Sequence, residues 1–293
     1  MTSARGRGWT ERVVLAPAER REAVLTIIRR ARRHLTLSLF RYNDDGIFTE
    51  LARAVDRGVH VDVLVTQRSK GKKKLRRLWE ALDTTGAAVH AHSDPVVKYH
   101  AKYLVADDGP AMVASLNFTT KCFRDTVDAV VITHDLAVVD GLRRLHAADR
   151  DGRGIPERMP ERLIVGPERA RRQFTALIEG ARSSIRLIDP KLSDPALTRV
   201  LDERRGDGIA VEVYGKKRLN GLRSHGKLML IDNKVAVVGS LALAAMSPDF
   251  RREVAITVHD RASVAAIARL FDSVAAARPA PDAAPDGAGR VPC

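Results

Sequence analysis

An eight-residue pattern, His100-Ala101-Lys102-Tyr103-Leu104-Val105-Ala106-Asp107, recurs as His225-Gly226-Lys227-Leu228-Met229-Leu230-Ile231-Asp232. This H-x-K-x4-D duplication constrains the chain more than any other feature. At the same offset of 125, Val113 falls on Val238, Ser115 on Ser240, Leu116 on Leu241, Asp128 on Glu253, His134 on His259 and Asp135 on Asp260, with no gap. A short motif alone is a weak signal, whereas two copies sharing their downstream serine and carboxylate imply an internal repeat. The apolar residues after each histidine predict a buried strand, with His and Lys two apart on one face. An imidazole beside an ammonium suits a phosphate: the amine stabilises oxygen charge, and the imidazole attacks phosphorus or moves a proton. In-line displacement needs a nucleophile on one side and an acid at the leaving oxygen, so a pair of histidines, one from each half, fits it.

The paired motifs resemble those of the phospholipase D superfamily, and the resemblance covers roughly residues 14–275. It implies two pseudo-symmetric α/β halves, with mostly parallel or mixed sheets flanked by helices and one active site between them. Carried over residue by residue, it implies that His100 and His225 are nucleophile and general acid/base, and that Lys102 and Lys227 bind phosphate oxygens. Ser115 and Asn117, and Ser240 in the second half, match the family's G-S-x-N phosphate-binding element. Ala114 replaces its first glycine and Ala242 its second asparagine. Asp128 and Glu253 resemble carboxylates that orient the imidazoles, and Asp128 is assigned to His100. The motif aspartates Asp107 and Asp232 follow their apolar strands by several residues, so they read as structural.

A second offset, 150, relates Pro17 to Pro167, Ala31 to Ala181, Leu37 to Leu187, Leu51 to Leu201 and Gly58 to Gly208. Helices are expected at about 17–33 and 45–57 and strands at 34–40 and 59–66, a β-α-β order that predicts a parallel sheet. Ser193-Asp194-Pro195 reads as a capped helix start. The change of offset leaves the first half 25 additional residues between Val63 and His100, including Lys70, Lys72, Lys73, Lys74 and an amphipathic helix to about Leu82. The second half has the shorter basic loop Lys216–Arg223. Both segments follow strand C-terminal ends, where open α/β sheets place ligands, so both are expected to rim the site and Lys70 and Lys72–Lys74 to contact an anionic substrate. A solvated helix start accounts for Lys70–Arg77 equally well. The halves are expected at 1–148 and 161–276, joined by a linker at 149–160, with a disordered Pro/Ala-rich tail at 277–293.

The net charge of +14 points to a polyanionic partner or surface. Cys122 and Cys293 are the only cysteines, so no disulfide framework is implied. Met1–Thr10 lacks the apolar segment of a signal peptide, and the longest apolar run, Val235–Met246, is too short to span a bilayer. A cytoplasmic location with peripheral contact at an anionic membrane is expected, and a monomer suffices for activity. His90 and His92 beside His100 could suggest a metal, but no cysteine or carboxylate at ligand spacing supports it; neither metal nor cofactor is expected. His134 and His259 read as turn residues.

These observations predict a phosphodiesterase working through a phosphohistidine, with phospholipid as the first substrate class, by hydrolysis or transphosphatidylation. A nuclease acting on DNA or RNA is the alternative, favoured by the excess positive charge. A non-catalytic polyanion-binding module is the third reading, opposed by complete His and Lys in both halves.

Overall fold

The computed structural model describes residues 11–68, 71–215, 218–245 and 247–277. Lys70, Lys216, Lys217 and the tail 278–293 lie outside the described residues. The first half contains β1 (Glu11–Val14), α1 (Pro17–Arg30), β2 (His34–Leu39), α2 (Asp45–Asp56), β3 (His60–Thr66), α3 (Lys72–Asp83), β4 (Ala88–His92), β5 (Lys98–Tyr99), β6 (Tyr103–Ala106), β7 (Ala111–Ala114), α4 (Thr120–Arg124), β8 (Thr126–Val127), β9 (Val130–Thr133) and α5 (Leu136–Arg150). The second half repeats the scheme with β10 (Leu163–Val165), α6 (Ala170–Glu179), β11 (Ser184–Ile188), α7 (Pro195–Gly206), β12 (Ala210–Tyr214), β13 (Arg218–Leu219), β14 (Leu222–Ser224), β15 (Lys227–Ile231), β16 (Val235–Gly239), α8 (Ser247–Phe250), β17 (Arg251–Arg252), β18 (Val254–Val258) and α9 (Arg261–Ala276).

Each half is built on one mixed sheet, in the orders β1-β9-β7-β6-β2-β3-β4 and β10-β18-β16-β15-β11-β12. The duplication is visible in this order, and the 25 additional residues of the first half supply α3 and the edge strand β4. Within these two sheets, parallel pairing is confined to β2-β3-β4 and β11-β12, where helices cross over. The other neighbours are antiparallel, because short turns join β6 to β7 and β15 to β16 and a hairpin can only reverse direction. The sheets are therefore more antiparallel than the β-α-β pattern predicts.

Both faces of each sheet are apolar, which is why the motif strands read as unbroken runs. Tyr103 and Val105 of β6, Ala111 and Val113 of β7, Leu228 and Leu230 of β15 and Ala236 and Val238 of β16 enter one core shared by the two halves. Val138 and Leu142 of α5 and Ile267 and Phe271 of α9 enter it too. The alternate residues face outward: Leu104 and Met112 under α1 and α2, and Met229 and Val237 under α6 and α7. The shared core makes the two halves one packed body.

Asp149, placed in a linker by sequence, lies inside α5 and is 4% exposed. The helix ends only at Arg150. His134 and His259 sit between strand and helix, just before the capping residues Asp135 and Asp260, whose carboxylates accept from Ala137 and Ser263 N–H. Asp194 caps α7 in the predicted way.

The motif aspartates tie strand ends together. Asp107 accepts hydrogen bonds from the N–H groups of Arg32, Arg33 and His34, and Asp232 from Arg182, Ser183 and Ser184. Each thus locks the start of β2 or β11 to the turn after the motif strand. Burial alone would raise the Asp232 carboxyl, but the three backbone donors hold it down to about 2 from an ordinary 3.8. A depressed folded-state value gives stability that is present above the unfolded value and lost as pH falls through the folded one. Asp232→Asn is expected to lower the unfolding midpoint at pH 6 and 7, with the gap to wild type closing between about pH 4 and pH 2. Thermal unfolding across pH checks this.

Candidate active site

Two short parallel ladders cross between the halves. β8 pairs with β14, setting Arg223 against Thr126 and Ser224 against Val127. β17 pairs with β5, setting Arg251 against Lys98 and Arg252 against Tyr99. Single backbone bonds extend both: Gly226 N–H donates to Val127 C=O at 2.7 Å, and His100 N–H to Arg252 C=O at 2.9 Å. A Cβ at residue 226 would stand 2.6 Å from Val127 O, so glycine is what allows this approach. The residue after each ladder strand, Asp128 or Glu253, therefore lands beside the histidine of the other half.

The carboxylates are thus exchanged relative to the sequence expectation. Asp128 holds His225, with Oδ2 2.9 Å from Nδ1. Glu253 faces His100, with Oε1 2.6 Å from Nδ1 in a close contact that is not aligned as a hydrogen bond. The equal spacing of 28 residues from His to carboxylate suggested pairing within a half. The cross-half ladders override it.

His100 and Lys102 lie in the break between β5 and β6 rather than on a strand, yet they meet as expected: the Lys102 ammonium is 3.0 Å from His100 Nδ1 and donates to the His100 carbonyl at 2.7 Å. Lys227 repeats that carbonyl bond with His225 at 2.7 Å. Ser115 and Ser240, expected at the phosphate, are wholly buried. The Ser115 hydroxyl donates to Asp128 Oδ1 at 2.6 Å, while the Ser240 hydroxyl bridges the N–H and C=O of Val254. Thr126 donates to the second oxygen of Asp128 at 2.6 Å, and Ser247 donates to Glu253 Oε2. These hydroxyls fix the carboxylates and the strands that carry them. Asn117 is different: its side-chain oxygen is buried without a protein partner among the described residues.

The two His–carboxylate pairs differ electrically. Burial, with Lys102, Lys227, Arg251 and Lys191 close by, drives His100 well below its ordinary value and keeps it neutral. Burial likewise raises the Glu253 carboxyl and depresses the Lys102 ammonium. Asp128 goes the other way. Burial would raise it, but the His225 imidazole, Lys227 and Ser115 together carry it below its ordinary value. The His225 side chain is also the more open, 30% exposed against 13% for His100.

Several contributors are absent from the motif reading. Phe40 packs its ring 4.2 Å from that of His100, and Arg41, Lys98 and Lys102 stand over the Phe40 ring. Lys191 and Arg251 add positive charge around His100. The offset of 150 that relates the helices also relates Arg41 to Lys191, a signal available in the sequence. Cys122 lies within 4.8 Å of Asp128 and His225; both Asp128 oxygens are already engaged by Ser115, Thr126 and His225. His92 stacks on Tyr99, and His90 lies 3.4 Å from Asp62, so neither joins His100. Lys72, Lys73 and Lys74 are exposed on the first turn of α3, whose opposite face packs on the outer core through Leu78 and Leu82. No helix among the described residues is long and apolar enough to cross a membrane.

Against known proteins, the sequence matches the family model described as cardiolipin synthase, PLD-like domain, over residues 24–149 and 162–275. Among curated proteins none matches the sequence. The structure is similar to polyphosphate kinase from Porphyromonas gingivalis, with a TM-score of 0.77 at 19% identity over 90% of this chain and 46% of that one. This chain therefore spans less than half of that kinase. It is also similar to phosphatidylserine synthase from Haemophilus influenzae, with a TM-score of 0.68 at 12% identity over 90% of this chain and 86% of that one. Nuc from Salmonella typhimurium, a phospholipase D family member, aligns with 50% of this chain at 22% identity and a TM-score of 0.44. The first two likenesses show a shared fold.

Arg252 anchors the ladder that delivers Glu253. It is 4% exposed and donates to Asp149 at 2.8 Å, to the Gly166 carbonyl at 2.7 Å and to both oxygens of Glu168 at 2.5 and 2.8 Å. Burial raises Asp149 to about 7 even beside this guanidinium. Removing one partner of a buried ion pair costs about 3–5 kcal/mol, because the other charge is left uncompensated. Arg252→Leu is expected to lose stability of that order and to lower turnover, whereas Arg252→Lys recovers part of both. Denaturant titration with parallel turnover assays checks this.

Proposed function

This chain belongs to the phospholipase D-like family, and on that premise we propose that it is a phosphodiesterase that transfers the phosphatidyl group of a phospholipid to water or to an alcohol. The crosswise, electrically unequal pair of histidines carries this reading. Glu253 takes the Nδ1 proton side of neutral His100, which leaves the Nε2 lone pair for attack on phosphorus. The P–N bond forms as the bond from phosphorus to the leaving oxygen breaks. His225, whose Nδ1–H donates to ionised Asp128, gives its Nε2 proton to that oxygen. His225 then takes a proton from water or an acceptor alcohol, the new P–O bond forms and the P–N bond breaks. Both histidines return to their starting states, with retention at phosphorus.

Charge stabilisation comes from the chain's own cations. Lys102, Lys227, Lys191 and Arg251 face two carboxylates around the site, leaving an excess of positive charge for the phosphodiester oxygens. The Asn117 side-chain N–H is assigned as a donor to one of those oxygens, in the half that keeps the fuller phosphate element; its carbonyl oxygen, the atom buried without a protein partner among the described residues, can only accept. Both motifs and both carboxylates in one chain complete a site without a second copy. Phospholipid is favoured by the match to a cardiolipin synthase domain. The nuclease reading rests on the net charge of +14 and the exposed Lys72–Lys74.

Turnover on phospholipid vesicles and on single- and double-stranded DNA, with wild type, His100→Ala and His225→Ala, tests the substrate. Head-group release lost in both variants is expected; DNA cleavage without head-group release would establish the nuclease reading. The division of labour has its own signature. Asp128→Asn is expected to slow cleavage of an alkyl diester by about 10²-fold or more, and to slow a p-nitrophenyl diester far less, since that leaving group needs no acid. Glu253→Gln is expected to slow both.

A further inference from the structure

Among the described residues three large apolar side chains stand exposed: Val96 at 63%, Leu136 at 70% and Phe250 at 43%. Isolated cases are ordinary on protein surfaces. Val96 and Phe250 are not isolated. The β5·β17 ladder sets Lys98 against Arg251, so Phe250 and Val97, the residues just before each, are brought to the same edge, with Val96 one residue further out.

The loop that presents Val96 is firmly held. Arg68 donates to the carbonyls of Pro95, Asp94 and Val97 at 2.6, 2.8 and 3.1 Å. The Asp94 carboxylate accepts from the N–H groups of Val96 and Val97 at 2.8 and 2.7 Å. Five hydrogen bonds thus fix a loop whose outermost side chain is apolar and faces water. Phe250 ends α8 and is followed directly by Arg251, the first residue of β17. Of the nearby acids, Asp94 is committed to the loop amides and Asp249 to Arg171 at 2.6 Å, while the buried Glu253 carboxylate lies 4.0 Å from Arg251. The edge therefore combines fixed apolar points with the cations Lys98 and Arg251, while Arg41 stands with Lys98 over the Phe40 ring beside His100.

We infer that this edge, Val96 and Phe250 flanked by Lys98 and Arg251, is the surface by which the protein docks on an anionic phospholipid bilayer. The inference rests on the lipid reading of the site and extends it to how substrate is reached. Interfacial binding adds apolar insertion to attraction for anionic head groups, and this edge offers both. A nucleic acid would use the cations but has no need of a fixed, outward valine. The ladder strands lead directly into His100 and Glu253, so docking here holds the two catalytic pairs at head-group level. Leu136, at the start of α5 beyond Asp135, lies on a different element and takes no part.

The test is co-sedimentation of the full chain with vesicles of phosphatidylglycerol and phosphatidylcholine, comparing wild type, Val96→Ser/Phe250→Ser and Lys72→Gln/Lys73→Gln/Lys74→Gln. Cleavage of soluble bis(p-nitrophenyl) phosphate is measured in parallel. Wild type is expected to partition to the anionic vesicles, and the apolar double variant to lose about tenfold in partitioning with soluble-diester turnover unchanged. A Val96→Trp variant is expected to show a blue-shifted emission on those vesicles. Wild-type partitioning of the double variant, loss confined to the lysine variant, or absence of vesicle binding by wild type would overturn the inference. Failure of wild type to cleave the soluble diester, with partitioning intact, would count against the proposed reaction instead.

Discussion

Two parallel ladders of two residues each, β8 with β14 and β5 with β17, determine everything that follows at the site. They are short, but they lie between two sheets already joined by a common apolar core, so the entropy of bringing the halves together is offset by burial rather than by the ladders. Their task is register. Because Thr126–Val127 run beside Arg223–Ser224, Asp128 is delivered to His225 of the other half. The same construction places Glu253 on His100. Neither half can assemble a complete histidine–carboxylate pair alone.

This exchange also separates the two roles. The two imidazoles, each in the break before a motif strand, stand in different surroundings, and the roles proposed for them rest on that difference. Around His100 the cations and deep burial oppose protonation. At His225 an ionised Asp128, held by Ser115 and Thr126, waits on the opposite ring nitrogen. The second layer follows the same division: Arg252, a buried cation bound by two carboxylates and a carbonyl, braces the Glu253 side, and the equivalent position in the first half is the apolar Val127.

Much of this was legible in the sequence because it rests on local chemistry. The apolar runs after each motif and the cap Asp194 depend on neighbours a few residues away or on strand periodicity, and Asp107 and Asp232 read as structural from their place at a strand end, although their partners lie 73–75 and 48–50 residues away. Lys102 meets the His100 ring, and each motif lysine bonds the carbonyl of its own histidine. The crosswise pairing was not legible. A constant offset describes both halves equally well whether carboxylates serve their own half or the other, and a two-residue strand carries no periodic signal. Ser115 read as a phosphate ligand because a hydroxyl near a phosphate motif and one beneath a carboxylate look alike until burial is known. Asp149 read as the start of a linker because its partner Arg252 lies 103 residues away in the chain.

The central claim is the exchange of carboxylates between the halves, and proton NMR of the imidazole Nδ1–H groups tests it most directly. The two resonances are assigned by their disappearance in His100→Ala and His225→Ala. In Asp128→Asn the account predicts that the His225 Nδ1–H signal shifts upfield or is lost to exchange while that of His100 stays in place, and that Glu253→Gln does the reverse. A His100 signal that moves in Asp128→Asn, with His225 unchanged, would contradict the crosswise arrangement and the division of roles built on it.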